Sequence, residues 1–536
     1  MPGRRSGFVY RLSLAVVGLV FALAVAAGIV QRLPYIGTLT EGHHQWLMAE
    51  YAKFVEYWER DGIFADRFLT LESPRSIETT TLESRIVYTS FIPGGVVQVW
   101  LLHRLLPGVP LVTLISGYGI ALQALVALIY GLLVWRMMRP EDRAGPALFF
   151  VFAAMLTYLF HPAPYYFHPM VPFAYQAALV PIALGTFLEY LMRAKGRRSL
   201  WWVQTLILGW LAACDWSFIP FCLGLTLFRL VSPLPGAARP YARASLLRML
   251  LSIWLLPSLV CAAYLADLYF SGLLEDLVSR ALLRTGVAKD VAGVLPMSFR
   301  SVYKRVFVET LGNTQVWLHL AALASLYYLV RDRRDPVAVV CCLSLLTPYL
   351  YVVLLPNDVS THDFQSMKFF VPLSLVAFGV MPYRLIWSLH GWARALAFGA
   401  MVFLWAFYMI HFRTDWEAWY QPAPPATQAL AEWLRAHTTF DEVFLSDSVE
   451  IADNPPVPVA ISYKRVWRFA TPRALKDFAA GLPAGARLRF VSKADYAICF
   501  APADTTALPD GLKIYRIEAP SVRQLDCLAA SWKGRG

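Results

Sequence analysis

Four short stretches of the sequence carry residue types able to do chemistry beside a membrane. The first is Glu41-Gly42-His43-His44-Gln45, one carboxylate next to two imidazoles, about ten residues beyond an apolar run. Partial desolvation moves a carboxyl pKa towards neutrality, which suits a general base; a solvated loop carboxylate is the competing account. The second is Cys214-Asp215-Trp216-Ser217, an acidic residue set between two apolar runs. Charge at that depth is costly and often functional, although capping of the following helix explains Asp215 equally well. The third is Thr361-His362-Asp363-Phe364 with Lys368, a group able to bind a metal, position a sugar or steer a phosphate. Anchoring at a membrane interface accounts for Lys368 as well. The fourth, His161-Pro162 and His168-Pro169, reads more simply as the ends of two helices. Basic residues are also spread over 271–313, among them Arg280, Arg284, Lys289, Arg300, Lys304 and Arg305. Arginine makes forked bonds to phosphate oxygens, whether of a ligand or of anionic lipid headgroups.

Other chemistries lack their residues. There is no GxxxxGK[ST], no HExxH, no GxSxG and no Asp-x-Asp pair to hold a metal and a nucleotide-sugar. No pair of closely spaced cysteines points to zinc. The net charge of +12 comes from basic residues scattered over short loops, with no aromatic-interleaved stripe for a nucleic-acid backbone.

The elements that must position these residues follow from composition. The chain has 536 residues, 58% hydrophobic and 16% charged, with a mean hydropathy of +0.50. Soluble domains carry about 25% charged residues. Helices of about 20 apolar residues satisfy their own backbone across a bilayer, and eleven apolar segments suit that role. They lie at 12–30, 110–135, 146–161, 170–192, 199–214, 217–231, 245–270, 314–330, 336–355, 369–388 and 393–411. Basic clusters such as Arg4-Arg5, Arg193 to Arg198 and Arg331 to Arg334 alternate with connections poor in Lys and Arg. The positive-inside rule then sets the N-terminus in the cytoplasm and the C-terminus outside. The segment 96–106 contains His103 and Arg104 and follows Pro93-Gly94-Gly95. Counting it as a span would reverse every later loop, so we expect an interfacial or re-entrant helix.

Two long outward loops remain, 32–109 and 271–313. In the first, Leu47, Tyr51, Phe54, Val55 and Trp58 recur at helical spacing opposite Glu50, Lys53 and Arg60, the pattern of an amphipathic helix lying on the membrane surface. Pro422, Pro424 and Pro425 fall in a linker over 413–425. Beyond it, 426–536 reads as a small soluble α/β domain with helices near 427–437 and 472–480 and strands near 442–445, 457–462, 488–491, 496–500 and 512–517. Cys499 and Cys527 lie in this part and can pair if it faces an oxidising compartment. The fold class is thus a polytopic α-helical membrane protein with a C-terminal periplasmic α/β domain.

The order of parts resembles the GT-C glycosyltransferase superfamily, in particular its protein mannosyltransferase and aminoarabinose transferase branch. An acidic residue opens the first outward loop. That loop closes on Tyr88-Thr89-Ser90-Phe91-Ile92-Pro93-Gly94, and a late His362-Asp363-Phe364 leads into Phe370-Val371-Pro372-Leu373. The tail with Ser462-Tyr463-Lys464-Arg465-Val466-Trp467 is similar to the soluble domain that ends many such chains. The resemblance implies transfer of a sugar from a polyprenyl-phosphate donor to an acceptor hydroxyl on the outer face of the plasma membrane, with inversion. Glu41 matches the catalytic acidic position. The sequence has one Glu followed by two His where many members have Asp or an Asp-Glu pair, which leaves a divalent cation open as cofactor. His43, His44, Asp215, His362 and Asp363 are then expected to position donor or acceptor, and Arg300, Lys304, Arg305 and Lys368 to hold phosphate. The alternative is a transporter or flippase of a lipid-linked sugar without bond chemistry. The expected partners are the lipid-linked sugar, membrane lipid and a glycan, lipid or protein acceptor.

Overall fold

The computed structural model of the chain describes residues 2–38, 45–71, 87–89, 92–170, 177–234, 243–287, 299–411, 425–439, 442–446, 466–468, 487–500, 505–508, 511–518 and 522–531. It opens with α1 (Pro2–Arg32), α2 (Gln45–Tyr57), α3 (Gly94–Leu105), α4 (Leu111–Met137), α5 (Leu148–Phe160) and α6 (Pro162–Met170). Then come α7 (Ala177–Lys195), α8 (Trp201–Cys214), α9 (Phe218–Val231), α10 (Arg243–Phe270), α11 (Leu274–Arg284) and α12 (Phe299–Tyr303). The later helices are α13 (Thr314–Arg331), α14 (Pro336–Leu354), α15 (Pro356–Thr361), α16 (Phe370–Pro372), α17 (Met381–Trp387), α18 (Gly391–His411), α19 (Pro425–His437) and α20 (Val522–Ser531).

Among the described residues, seven helical segments are long and apolar enough to cross a membrane: 10–32, 111–137, 177–195, 246–270, 336–354, 364–387 and 391–411. Three shorter apolar helices, α5, α8 and α9, occupy three further expected spans. Helix α13 fills another, but its Gln315, His319 and Arg331 dilute its apolar character. The chain is therefore a multi-pass membrane protein, with seven spans by length and composition among the described residues where eleven are expected.

Proline sets several boundaries. Pro336 and Pro356 each stand at the start of a helix, where the missing N–H is no loss. Asp335 caps α14 by accepting the Val337 N–H at 3.0 Å. Pro162 likewise opens α6, so the stretch holding His161 and His168 is itself a helix rather than a plain connection.

The helix expected to lie on the membrane surface is present as α2 and the turn Trp58–Gly62 after it, but of its expected polar face Arg60 alone is exposed. Leu47, Tyr51, Phe54, Val55 and Trp58 are buried as expected, and so are Glu50 and Lys53 on the opposite side. The two charges sit 2.5 Å apart, so ion pairing rather than solvation accommodates them. Helix α3 is too short to cross a membrane, in keeping with its exclusion from the spans. It lies so close to α8 that a Cβ on Gly94 would collide with the Ala213 carbonyl.

The C-terminal part contains a five-stranded sheet in the order β2-β1-β3-β5-β4, formed by β1 (Val443–Ser446), β2 (Val466–Arg468), β3 (Arg487–Ser492), β4 (Thr505–Ala507) and β5 (Lys513–Glu518). β1 runs parallel to β2 and β3, while β5 is antiparallel to both β3 and β4. The strand expected at 496–500 is instead a 3-10 turn, Ala497–Cys499. There Tyr515 Oη accepts the Tyr496 N–H at 2.9 Å and turns the chain away from the sheet. Cys499 and Cys527 form a disulfide that ties this turn to α20. The strand expected at 457–462 and the helix at 472–480 lie outside the described residues.

A charged network crosses four helices within the bundle. Glu189 of α7 accepts Arg193 Nε at 2.9 Å and Arg229 Nη2 of α9 at 2.7 Å. Gln204 of α8 donates to Glu189 at 3.3 Å and also accepts from Arg229. Arg193 Nη1 reaches the Ser232 carbonyl at 2.7 Å, and Arg229 Nη1 reaches Ser252 Oγ of α10 at 3.5 Å. Removing the carboxylate would leave two buried guanidiniums without their counter-charge, which costs about 3–5 kcal/mol. Glu189→Gln should therefore lower the thermal unfolding midpoint in detergent sharply, whereas the surface change Glu309→Gln should barely move it. An unchanged midpoint for Glu189→Gln would show that the arginines do not depend on this carboxylate.

Candidate functional site

Asp215 ends α8 in extended backbone, and its side chain is buried. Oδ1 accepts the Ser217 N–H at 2.7 Å, which turns the chain into α9. The same oxygen lies 3.7 Å from Lys368 Nζ. The carboxylate thus bonds the residue at the cap position of α9, Ser217, and also faces a buried ammonium.

Lys368 is buried at the end of the 3-10 segment Asp363–Phe369. Its ammonium donates to Gln365 Oε1 at 2.5 Å and stands 4.0 Å from the centre of the Tyr351 ring. Tyr351, near the end of α14, donates its hydroxyl to Asp358 Oδ2 at 2.9 Å. The other oxygen of Asp358 faces Arg284 Nε at 3.5 Å and His362 Nδ1 at 3.2 Å. Burial raises the Asp358 carboxyl, but Arg284, His362 and Lys368 outweigh it and hold the group well below the usual carboxylate range. Asn357 donates to the Leu283 carbonyl at 3.0 Å and so fastens α15 to the last turn of α11. Gly286 follows at φ +73°, a left-handed conformation that ends α11 beside Asn357.

Asp215, Lys368 and His362 thus belong to one cluster, joined by Asp358, Arg284, Tyr351 and Gln365. The side chain of Asp363 lies outside the described residues, as do Glu41, His43 and His44. Helix α2 follows them directly. Burial pushes the Tyr51 phenol up, and Tyr88 and Asp215 push it the same way. Helix α6 packs on both α2 and the 363–369 segment, where Phe167 meets Phe364 edge-on at 6.2 Å. Of the expected phosphate ligands other than Lys368, Arg300 and Lys304 are exposed and Arg305 is half-buried. Lys304 pairs with Glu309 at 3.4 Å, and α12 packs against α15.

A cleft of about 500 Å³ opens beside the cluster. Its walls are mostly apolar, including Trp216, Ile219, Leu265, Leu277 and Leu354, and Tyr351 closes part of it. Arg280 and Arg284, one helical turn apart on α11, are the two charged residues among those that line it. Arg280 is oriented by Asp276 at 3.0 Å, which also accepts the Thr89 hydroxyl at 2.5 Å. Among the described residues, no group of three or more His, Cys, Asp or Glu side chains is arranged to hold a metal ion. Asp358 is already shared among three partners.

The sequence alone assigns no role to Asp358, Tyr351 or Gln365, and it marks Arg284 only among the basic residues of 271–313. The signals for two of them were spacings. Asp358 stands four residues before His362, and Arg284 stands eight after Asp276 on an amphipathic helix.

No protein-family model matches the sequence, and no curated protein matches it. Solved structures do resemble the fold. The apo oligosaccharyltransferase of Archaeoglobus fulgidus superposes with a TM-score of 0.55 at 12% identity, covering 92% of this chain and 70% of that one. That protein in complex with Zn and sulfate gives 0.53 at 11% identity, with 90% and 68% covered. The oligosaccharyltransferase AglB of the same organism, in complex with an inhibitory peptide and a dolichol-phosphate, gives 0.56 at 12% identity, with 91% and 70% covered. At such identities the likeness is one of fold. The chain accordingly shares its fold with these archaeal oligosaccharyltransferase structures.

Proposed function

We propose that the chain is a membrane glycosyltransferase that moves a sugar from a polyprenyl-phosphate donor to an acceptor hydroxyl on the outer face of the membrane. The observation that carries this reading is the junction of an apolar cleft with a buried charged cluster. A prenyl chain suits apolar walls, and its phosphate suits the guanidiniums of Arg280 and Arg284 at the same opening. The fold supports the reading too, since one solved neighbour holds a dolichol-phosphate.

Transfer needs few groups. The acceptor oxygen attacks the anomeric carbon, the bond to the lipid phosphate breaks, and the hydroxyl proton passes to Glu41. One base suffices for a direct, inverting displacement. Arg280, Arg284 and Lys368 stabilise the charge that grows on the departing phosphate, and Arg300, Lys304 and Arg305 attract it from the rim. His43, His44, Asp215, His362 and Asp363 position donor and acceptor. The cytoplasmic N-terminus and an extracytoplasmic domain over 426–536 accord with the basic loops and with the Cys499–Cys527 disulfide, a bond of oxidising compartments.

Purified protein in detergent, given lipid-linked sugar and acceptor, tests transfer without a gradient to drive transport. Glu41→Gln should abolish product while expression is kept; activity near wild type would remove Glu41 from the role of base. Arg284→Gln should weaken donor binding about tenfold, as expected for one charge-assisted bond; equal affinity would separate α11 from the donor. The pH profile offers a third check. Because Asp358 is held below its ordinary value, its carboxylate interactions are complete above the unfolded pKa of about 3.9 and fade only as pH falls through the lower folded value. Asp358→Asn should then lower the rate at every pH from 5 to 8 without shifting the acid limb. A shifted limb would mean that Asp358 itself titrates during turnover.

A further inference from the structure

Four aromatic side chains stand exposed close together at one end of α10. Tyr269 and Phe270 are 65% and 72% exposed at the close of the span 246–270, and Phe64 and Phe68 are 78% and 38% exposed in the turn 63–68. The Phe64 and Phe68 rings meet edge-on at 5.4 Å, and those of Tyr269 and Phe270 meet at 5.5 Å. The turn is held in an unusual shape to present them. Arg67 and Phe68 are the two non-glycine residues with positive φ among the described residues, at 53° and 60°. Residues with a Cβ disfavour that region, and such outliers persist where the surroundings fix them.

The surroundings do fix this turn. Ile63 and Asp66 are buried, and the Phe68 N–H reaches the Ile63 carbonyl at 3.0 Å. Trp58 Nε1 donates to the Leu69 carbonyl at 2.8 Å and joins the turn to the helix ahead of it. The Arg67 guanidinium pairs with the Asp267 carboxylate, and Nη2 approaches the Asp267 carbonyl at 3.4 Å. Asp267 precedes Phe270 by three residues, about 4.5 Å along a helix. Below this point α10 turns Leu247, Leu251, Leu255 and Leu259 outward, one every fourth residue. The exposed aromatics therefore continue a surface that already faces lipid, at the level where the span ends.

We propose that the 63–68 turn is a membrane-interface anchor whose partner is the headgroup–acyl boundary of the phospholipid bilayer. Phe64 and Phe68 enter that boundary beside Tyr269 and Phe270, while the Arg67–Asp267 pair sets their height against α10. The anchor fixes the level at which α2 stands beside Asp215. It does not depend on the reaction proposed above.

The test uses the full chain in phospholipid nanodiscs with a spin label on Phe64→Cys, after subtraction of the signal from unmutated protein. Collisions with oxygen, which partitions into lipid, are compared with those of a water-soluble nickel chelate. The oxygen-to-nickel ratio should approach that of a label on Leu255→Cys within α10 and exceed that on Ala436→Cys, which is exposed on α19. A ratio equal to the Ala436→Cys reference would overturn the proposal, because the turn would then face water. Low collision rates with both reagents would also overturn it, since the surface would then pack on a second copy. Adding Arg67→Gln should shift the Phe64 label towards the water reference. No shift would overturn the part given to the ion pair.

Discussion

Everything at the candidate site depends on keeping ionised groups charged where water is scarce. Two buried carboxylates, Asp215 and Asp358, are balanced by Lys368 and Arg284. Each ion alone would carry a desolvation penalty of several kcal/mol, so none is stable there without the others. The pairing also dictates geometry. Asp215 comes from the α8–α9 turn, Lys368 from the 3-10 segment before α16, Asp358 from α15 and Arg284 from α11. Residues distant in sequence thus meet because their charges must. Tyr351 adds a hydroxyl to one carboxylate and a ring face to the lysine, which fills the gap between the two pairs with polarisable surface rather than water.

The bundle was legible to the extent that hydropathy encodes it. Apolar runs of spanning length foretold the long apolar helices, and the stretch 96–106 folds as part of a helix of only 12 residues. What hydropathy does not encode is the solvent that a polar face meets. The pattern of α2 is the same whether Glu50 and Lys53 face headgroups or face each other inside protein. The structure shows the second case, with the pair buried at 2.5 Å. In the C-terminal part, Tyr496 to Phe500 has the composition of a strand, yet the Tyr515 hydroxyl and the disulfide at Cys499 draw it into a turn. Tertiary contacts outweighed local propensity there.

The site was legible in part, for a related reason. Asp215, His362 and Lys368 stood out as polar residues in apolar settings, and three-dimensional contact joins them. Asp358 was overlooked because it follows Pro356-Asn357, where an aspartate reads as turn chemistry. Arg284 was noticed only as one of many loop cations. Its distinction is that α11 folds as a helix and that Asn357 fastens the end of that helix, so one particular arginine of the loop faces inward. No composition rule separates it from Arg300 or Lys304, which stay exposed.

Under the proposed function, the cleft and the cluster would divide the work of recognising an amphipathic donor. Apolar walls bind a hydrocarbon with little directional demand, because burial rewards area rather than angle. Charged groups give direction but must be desolvated in advance, and within a bilayer that cost is met only by partners. Arg280 and Arg284 resolve the conflict by their place on α11. Each has a carboxylate beside it, Asp276 and Asp358, which orients it before any ligand arrives. Both also line the cleft. An anion entering there meets guanidiniums already held in place, so less side-chain freedom is lost on binding. The same reasoning explains why α11 is tied at several points. Thr89 bonds Asp276, Asn357 bonds the Leu283 carbonyl, and Gly286 ends the helix beside Asn357. A loop carrying the same two arginines without those ties would offer equal charge and much less order.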